Sequence, residues 1–257
     1  MTTPAIDLRV GGQQVATYVI RPSVDRTMSP RPYVHPIKTL AGTVVTDTAP
    51  EDHRWHMGLS LAVQDVNGTN LWGGRTYVRG QGYTWLDDHG TITHEGFDSA
   101  EPDRITEQLV WRARNEQPLL LERRELRADL VDDRTWALTV QWALTAPERV
   151  TLGSPTTNGR EHGAGYGGCF VRLASAPDPV VTAGDLVGEE QVNGCDVPEM
   201  VWRCKRYTVR FEGGPRWFVR TSMYPGVCAA WAFDEVKVIE PGETWQGRFR
   251  MVISDPE

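Results

Sequence analysis

Residues 105–144 read ITEQLVWRARNEQPLLLERRELRADLVDDRTWALTVQWAL, and their apolar period is two. In 108–114, Leu109, Trp111 and Ala113 alternate with polar and charged neighbours. In 135–144, Trp136, Leu138, Val140 and Trp142 fall on one side, with Thr135, Thr139 and Gln141 against them. Successive side chains of an extended chain point to opposite faces, so this pattern spells strands over 105–114, 119–130 and 135–144. Val131-Asp132-Asp133-Arg134 supplies the turn between the last two. The run Leu121-Glu122-Arg123-Arg124-Glu125-Leu126-Arg127 is expected to hold its charges on a solvated sheet face.

The same period continues on both sides. Ala5–Val10 and 15–20 flank Gly11-Gly12, a hairpin signal. The β-branched stretch 39–45, then 59–66 before Asn67-Gly68, and 91–97 add further strands. Beyond residue 145 the pattern returns at 150–152, 169–173, 200–204, 207–212, 217–221, 228–233 and 244–253. No dozen residues sustain helical spacing, because Gly and Pro interrupt too often. Neither a linker nor a repeat of fixed period is visible. The expectation is an all-β chain, a large two-sheet antiparallel β-sandwich in a single domain over 1–257.

Composition narrows the function classes. The 257 residues carry 27 Lys and Arg against 34 Asp and Glu, a net charge of −7. With no basic run, nucleic acid and anionic membrane are disfavoured as partners. No stretch approaches the roughly 18–20 apolar residues of a membrane helix, and the N-terminus shows no secretory signal, so a cytoplasmic location is expected. Cys169, Cys195, Cys204 and Cys228 form no C-x-x-C pair, and all four are expected to be reduced, buried thiols. Most of the 10 Trp should pack the core, with one to three left to stack on sugar rings.

Two segments hold the chemistry. The first, RPYVHPIKTLAGTVVTDTAPEDHRWHMGL at 31–59, contains His35, His53 and His56. Three residues apart, His53 and His56 share a face only in a helical turn or an irregular loop. They could transfer protons, or bind a divalent metal together with His35. They could equally cap loops. The second segment, TTNGREHGAGYGGCF at 156–170, carries Arg160, Glu161, His162 and Tyr166 in a glycine-rich loop. Its formal G-x-G-x-x-G runs into a strand instead of a helix, so no nucleotide cofactor is expected. No G-x-S-x-G elbow is present.

These segments, with Leu-Trp-Gly-Gly at 71–74 between them, resemble a bacterial family of uncertain function often labelled PmoA. That label suggests a methane oxygenase subunit, which a chain without a spanning helix contradicts. The family looks like part of the galactose-mutarotase-like β-supersandwich group, and Glu240-Pro241-Gly242-Glu243 before the last strand is similar to a turn of that group. The resemblance implies a small carbohydrate or oxidised-sugar ligand. Glu161-His162 depart from the small or neutral residues the family commonly has around the glycine loop.

Three functions follow as alternatives. The first is an enzyme that cleaves a glycoside or 3-keto glycoside by elimination or hydrolysis. His53, His56, His162, Glu161 and Tyr166 would be its acid/base groups. Lys38, Arg54 and Arg160 would balance negative charge, with His35 contributing to binding. Trp55 and Trp72 would stack on the ring. The second is an aldose 1-epimerase, which should show one late Glu facing the histidines, from Glu235, Glu240 or Glu243. The third is a sugar-binding protein without turnover.

Overall fold

The computed structural model describes residues 4–161 and 163–256. Its strands pair antiparallel throughout two large sheets. The nine-stranded sheet runs in the order Leu186–Val187, Val180–Ala183, Glu199–Arg203, Thr208–Glu212, Thr244–Ser254, Thr135–Thr145, Pro118–Leu130, Arg104–Arg112 and Thr91–Glu101. The seven-stranded sheet runs Ala5–Val10, Gln13–Val19, Tyr33–Ile37, Leu59–Ala62, Gly168–Arg172, Gly226–Ala230 and Trp217–Arg220. Asp65–Val66, Val150–Gly153 and Lys237–Ile239 make a small third sheet, and Thr76–Val78 pairs with Gly82–Thr84 in a separate hairpin. Among the described residues the helices are one turn each, Arg26–Met28 and Glu189–Val192. None is long and apolar enough to cross a membrane.

The strands expected from 105–144 form within a residue or two of their limits, and Val10 pairs with Gln13 across the Gly11-Gly12 turn. The stretch 39–45 is not a strand. Its backbone doubles back, with Gly42 at φ 89° donating to the Thr39 carbonyl, and only Lys38 and Val44 bridge. The expected strand 59–66 is two, Leu59–Ala62 in the seven-stranded sheet and Asp65–Val66 in the small one. Of the four free thiols, Cys195 is only half-buried.

Alternation decides where a ligand can sit. In the last three strands of the seven-stranded sheet, Cys169, Val171, Val227, Ala229, Trp217 and Val219 face the other large sheet. The residues between them, Phe170, Cys228, Ala230 and Phe218, face outward. Yet these strands are buried on both sides. Ala62, Trp72, Ala164, Tyr166, Tyr224 and Phe233 complete a second apolar cluster on the outer face, with Trp55 and Tyr83 packed against it. Loops from distant parts of the chain therefore roof this sheet, whereas the nine-stranded sheet leaves its outer face wet.

The charges of Pro118–Leu130 divide between the two faces, contrary to the expectation of a wholly solvated run. Leu121, Arg123 and Arg127 point to water, but Glu122 and Arg124 are inside, because the even-numbered residues of this strand face the core. They are tolerated there as a pair: Arg124 donates to both Glu122 oxygens at 2.7 and 2.8 Å, and Trp111 Nε1 donates to Glu122 at 2.6 Å. Glu107 accepts from Tyr18 and meets His94 Nδ1 at 2.6 Å. Burial raises the Glu107 carboxyl above its usual range, against the opposing pull of Arg124. Burial alone would weaken the Arg124 charge, and Glu122, Tyr18 and Glu107 together more than offset it.

Candidate functional site

A cleft of about 480 Å³ opens on the roofed face of the seven-stranded sheet. Its floor is Phe218, Tyr224 and Tyr166 from the outward cluster, and Trp55, Trp72, Tyr83 and Trp85 supply its walls. Glycines make that wall possible. Gly74 has φ 71°, and a Cβ there would stand 2.5 Å from the Trp55 ring, so the indole lies directly against bare backbone. Asn70 fixes the same turn by accepting from the Trp72 and Gly73 amides at 2.9 and 2.8 Å.

A buried arginine ties the loops together. Arg31 donates to the carbonyls of Met28, Ser29, Trp72 and Trp55 and to the Ser60 hydroxyl, all at 2.8–3.1 Å. Burial draws its pKa down to about 9, which leaves it charged at neutral pH. The two cleft-forming loops, 50–57 and 70–75, are thus held by one guanidinium, each of whose three nitrogens donates to protein.

Residues 50–56 form successive turns, with His53 N–H bonded to the Pro50 carbonyl and His56 N–H to that of His53. This irregular backbone brings the two imidazoles face to face, ring centroids 4.6 Å apart, and Tyr224 packs within 5 Å of each. They are not equivalent. His53 Nδ1 lies 2.7 Å from Asp52 Oδ2, a contact that orients the ring and leaves Nε2 for chemistry. Burial would raise the Asp52 carboxyl, but His53 and Arg172 outweigh it, so Asp52 stays ionised below its usual range. His56 is buried, with Arg172 Nη1 at 3.4 Å from its Nδ1. Burial, reinforced by His53, Arg172 and Arg31, holds His56 well below the ordinary histidine pKa and therefore neutral.

A phenol pair faces the histidines across Trp72, whose ring lies 5.6 Å from His56 and 4.6 Å from Tyr166. Gln64 Nε2 donates to Tyr166 Oη at 2.8 Å, Arg160 donates to Tyr83 Oη, and the two phenol oxygens are 3.0 Å apart. Two phenolic protons serve one shared hydrogen bond. Whichever tyrosine donates, the other proton is uncommitted within the pair and available to a ligand. Burial, then Tyr83, keeps Tyr166 protonated far above neutral pH.

Of the residues singled out from the sequence, His53, His56, Trp55, Trp72, Arg160 and Tyr166 line this cleft. His35, Lys38, Arg54 and Glu161 do not. His35 meets Thr46 Oγ1 at 3.0 Å, Lys38 lies beside the reversal at 39–42, and Arg54 and Glu161 are exposed. His162 lies outside the described residues. Among those described, no three His, Cys, Asp or Glu side chains group to hold a metal, so His35, His53 and His56 are not a ligand set. None of the late glutamates lines the cleft. Glu235 borders a separate groove beside Trp231, Glu240 pairs with Arg149 at 3.4 Å, and Glu243 accepts from the Glu240 amide. Sequence reasoning missed Asp52, Arg75, Tyr83, Trp85, Arg220 and Tyr224. Asp52 had a signal, its adjacency to His53; the others did not.

The neutral state of His56 has a thermodynamic consequence. An unfolded His56 takes up a proton as pH falls below about 6.5, and the folded one resists. The unfolded chain then holds more protons, so stability is full above that pH and declines as pH falls toward the lowered native value. The slope from one such group is at most about 1.4 kcal/mol per pH unit. His35, also lowered by burial, adds the same sign. Urea unfolding of wild type between pH 7 and 5 should show this decline, and His56→Asn should flatten it; an unchanged slope would assign the protons elsewhere.

Comparison with known proteins matches this architecture. A galactose mutarotase related enzyme from Lactobacillus acidophilus superposes with a TM-score of 0.51 at 9% identity, over 98% of each chain. Galactose 1-epimerase of the same species gives 0.47 at 7% identity over 100% of this chain and 99% of that one. A heparan sulfate lyase mutant from Pedobacter heparinus gives 0.44 at 9% identity, over 94% of this chain and 34% of that one. The curated proteins include no sequence match. The family described as DUF6807, of unknown function, matches residues 5–257. The chain therefore belongs to DUF6807, built on a fold like that of the galactose mutarotases.

Proposed function

We propose that this protein is an enzyme that cleaves a small glycoside, with a 3-keto glycoside as the simplest substrate and elimination as the reaction. The observation that carries the reading is the Asp52–His53 pair opening onto an aromatic-walled cleft that also offers a phenol proton. Aromatic faces suit the apolar C–H face of a sugar ring. His53 removes the proton at C2, made acidic by the neighbouring ketone. Its electron pair forms the C1–C2 double bond as the C1–oxygen bond breaks. The departing oxygen keeps the bonding pair and takes a proton from the Tyr83–Tyr166 pair. The products are an enone and the free alcohol, and no oxidant is consumed.

Epimerisation is disfavoured because none of the late glutamates expected to face the histidines lines the cleft. Residues 1–257 are taken as one domain, since one cluster of buried side chains draws on both large sheets. Proton NMR of wild type with methyl glycosides and their 3-keto forms tests the reading. Enone signals together with released methanol support it. Anomer exchange alone would favour an epimerase, and saturation transfer without chemical change would favour a binding protein.

A further inference from the structure

The protein is acidic, with a net charge of −7, yet the charged residues lining its cleft are Arg75, Arg160 and Arg220 against the single carboxylate Asp52. Asp52 is already engaged by His53 at 2.7 Å and Arg172 at 3.5 Å. Arg220 has Glu189 at 3.7 Å. Two cations remain. The Arg160 guanidinium lies 4.8 Å from the centre of the Tyr83 ring and donates to that phenol, and Arg75 lies 5.9 Å from the centre of the Trp85 ring. Among the described residues neither forms an ion pair with a carboxylate, and Glu161, next to Arg160, does not line the cleft.

Tyr83 and Trp85 are two residues apart at the end of the Thr76–Val78/Gly82–Thr84 hairpin, so an extended chain sets both rings on one side. Arg75 adjoins the same open end of that ladder, where Thr76 pairs with Thr84. The hairpin thus supplies two aromatic rings at one edge of the cleft, with Arg75 beside its own strand and Arg160 from the glycine-rich loop held over them. Arg160 spends one in-plane donor on the Tyr83 hydroxyl, and the in-plane donors of a guanidinium held over a ring match a carboxylate or phosphate. An oxyanion that exists only in transit needs donors converging on one atom. Two cations spread along a rim suit a group that is charged throughout. Low-dielectric aromatic walls strengthen that attraction.

We infer that the cleft selects a carbohydrate bearing an anionic group, a carboxylate or a phosphate, through Arg75 and Arg160. The inference rests on the carbohydrate reading above. The test is a binding titration with methyl glucuronide, methyl galacturonide, methyl glucoside 6-phosphate and the two neutral methyl glycosides. It uses wild type, the double variant Arg75→Ala/Arg160→Ala, and Arg127→Ala as an exposed control on the far sheet. Near-identical thermal melts establish that the variants are folded.

Wild type and the control should bind at least one anionic sugar about tenfold or more tighter than its neutral parent. The double variant should bring that ratio below about threefold. Raising salt from about 20 to 300 mM should weaken only the anionic ligand. The carboxylate and phosphate arms show which anion is preferred. Equal binding of charged and neutral sugars in wild type, or a preference that survives in the double variant, overturns anion selection and leaves the carbohydrate reading standing. Binding of none of the five sugars overturns both.

Discussion

His53→Ala should lower turnover of a cleaved glycoside by about 10²–10⁴-fold, the span of a lost general base. Its binding should weaken far less, because Trp55, Trp72, Trp85 and the arginines remain in place. The effect is large because the structure offers no ready substitute. Its stacked neighbour His56 is buried and bonded to Arg172, and Asp52 is held ionised by the groups around it. Asp52→Asn should also lose turnover, by less, since the amide keeps the shape but removes the charge that stabilises a protonated His53. Arg54→Ala changes an exposed side chain beside His53 and should leave turnover within about twofold of wild type. Rates for His53→Ala indistinguishable from those for Arg54→Ala would remove His53 from the chemistry.

The second large effect concerns stability. Arg124→Leu should lower the unfolding free energy by about 3–5 kcal/mol, the cost of leaving a buried charge without its partner. Glu122 would keep only the Trp111 indole, and Glu107 would lose the cation that opposes its burial. Against a total of about 5–15 kcal/mol for a domain, that is a large fraction. The adjacent Arg123 gives an internal comparison. It faces solvent and pairs with Asp98 at 2.9 Å, so Arg123→Leu should cost no more than about 1 kcal/mol. Equal denaturant midpoints for the two variants would show that the inward pair carries no special weight.

This pair of neighbours also marks what the sequence can and cannot reveal. The period of two places strands correctly from residue 105 to 144, because each strand's alternation is a local property. The same alternation puts Glu122 and Arg124 inside, but a run of seven mostly charged residues hides it: pairing between two inward charges depends on a geometry that only the packed sheets supply. At 39–45 β-branched propensity loses to the reversal at Gly42. The cleft is partly legible for a similar reason. His53, His56, Trp72, Arg160 and Tyr166 sit in segments dense in unusual residues, and Gly168–Arg172 pairs with Leu59–Ala62 to bring those segments together. Arg75, Tyr83, Trp85, Arg220 and Tyr224 arrive from a hairpin outside the two large sheets and from the Trp217–Arg220 edge with the turn after it, positions that only the folded chain sets. Lys38 and His35 share the histidine-rich segment, yet neither lines the cleft, and His35 meets Thr46 instead.

The most direct check on the central claim is to watch the indole N–H signals of all 10 Trp while a bound sugar is titrated in. Methyl glucuronide and a 3-keto methyl glucoside are the probes. Trp55, Trp72 and Trp85 line the cleft, whereas Trp142, Trp231 and Trp245 cluster at a second groove on another part of the molecule. Assigned by single Trp→Phe variants, the shifts should be confined to Trp55, Trp72 and Trp85. Shifts at Trp142, Trp231 and Trp245 with the first three unmoved would place the sugar away from His53 and contradict the assignment of the site.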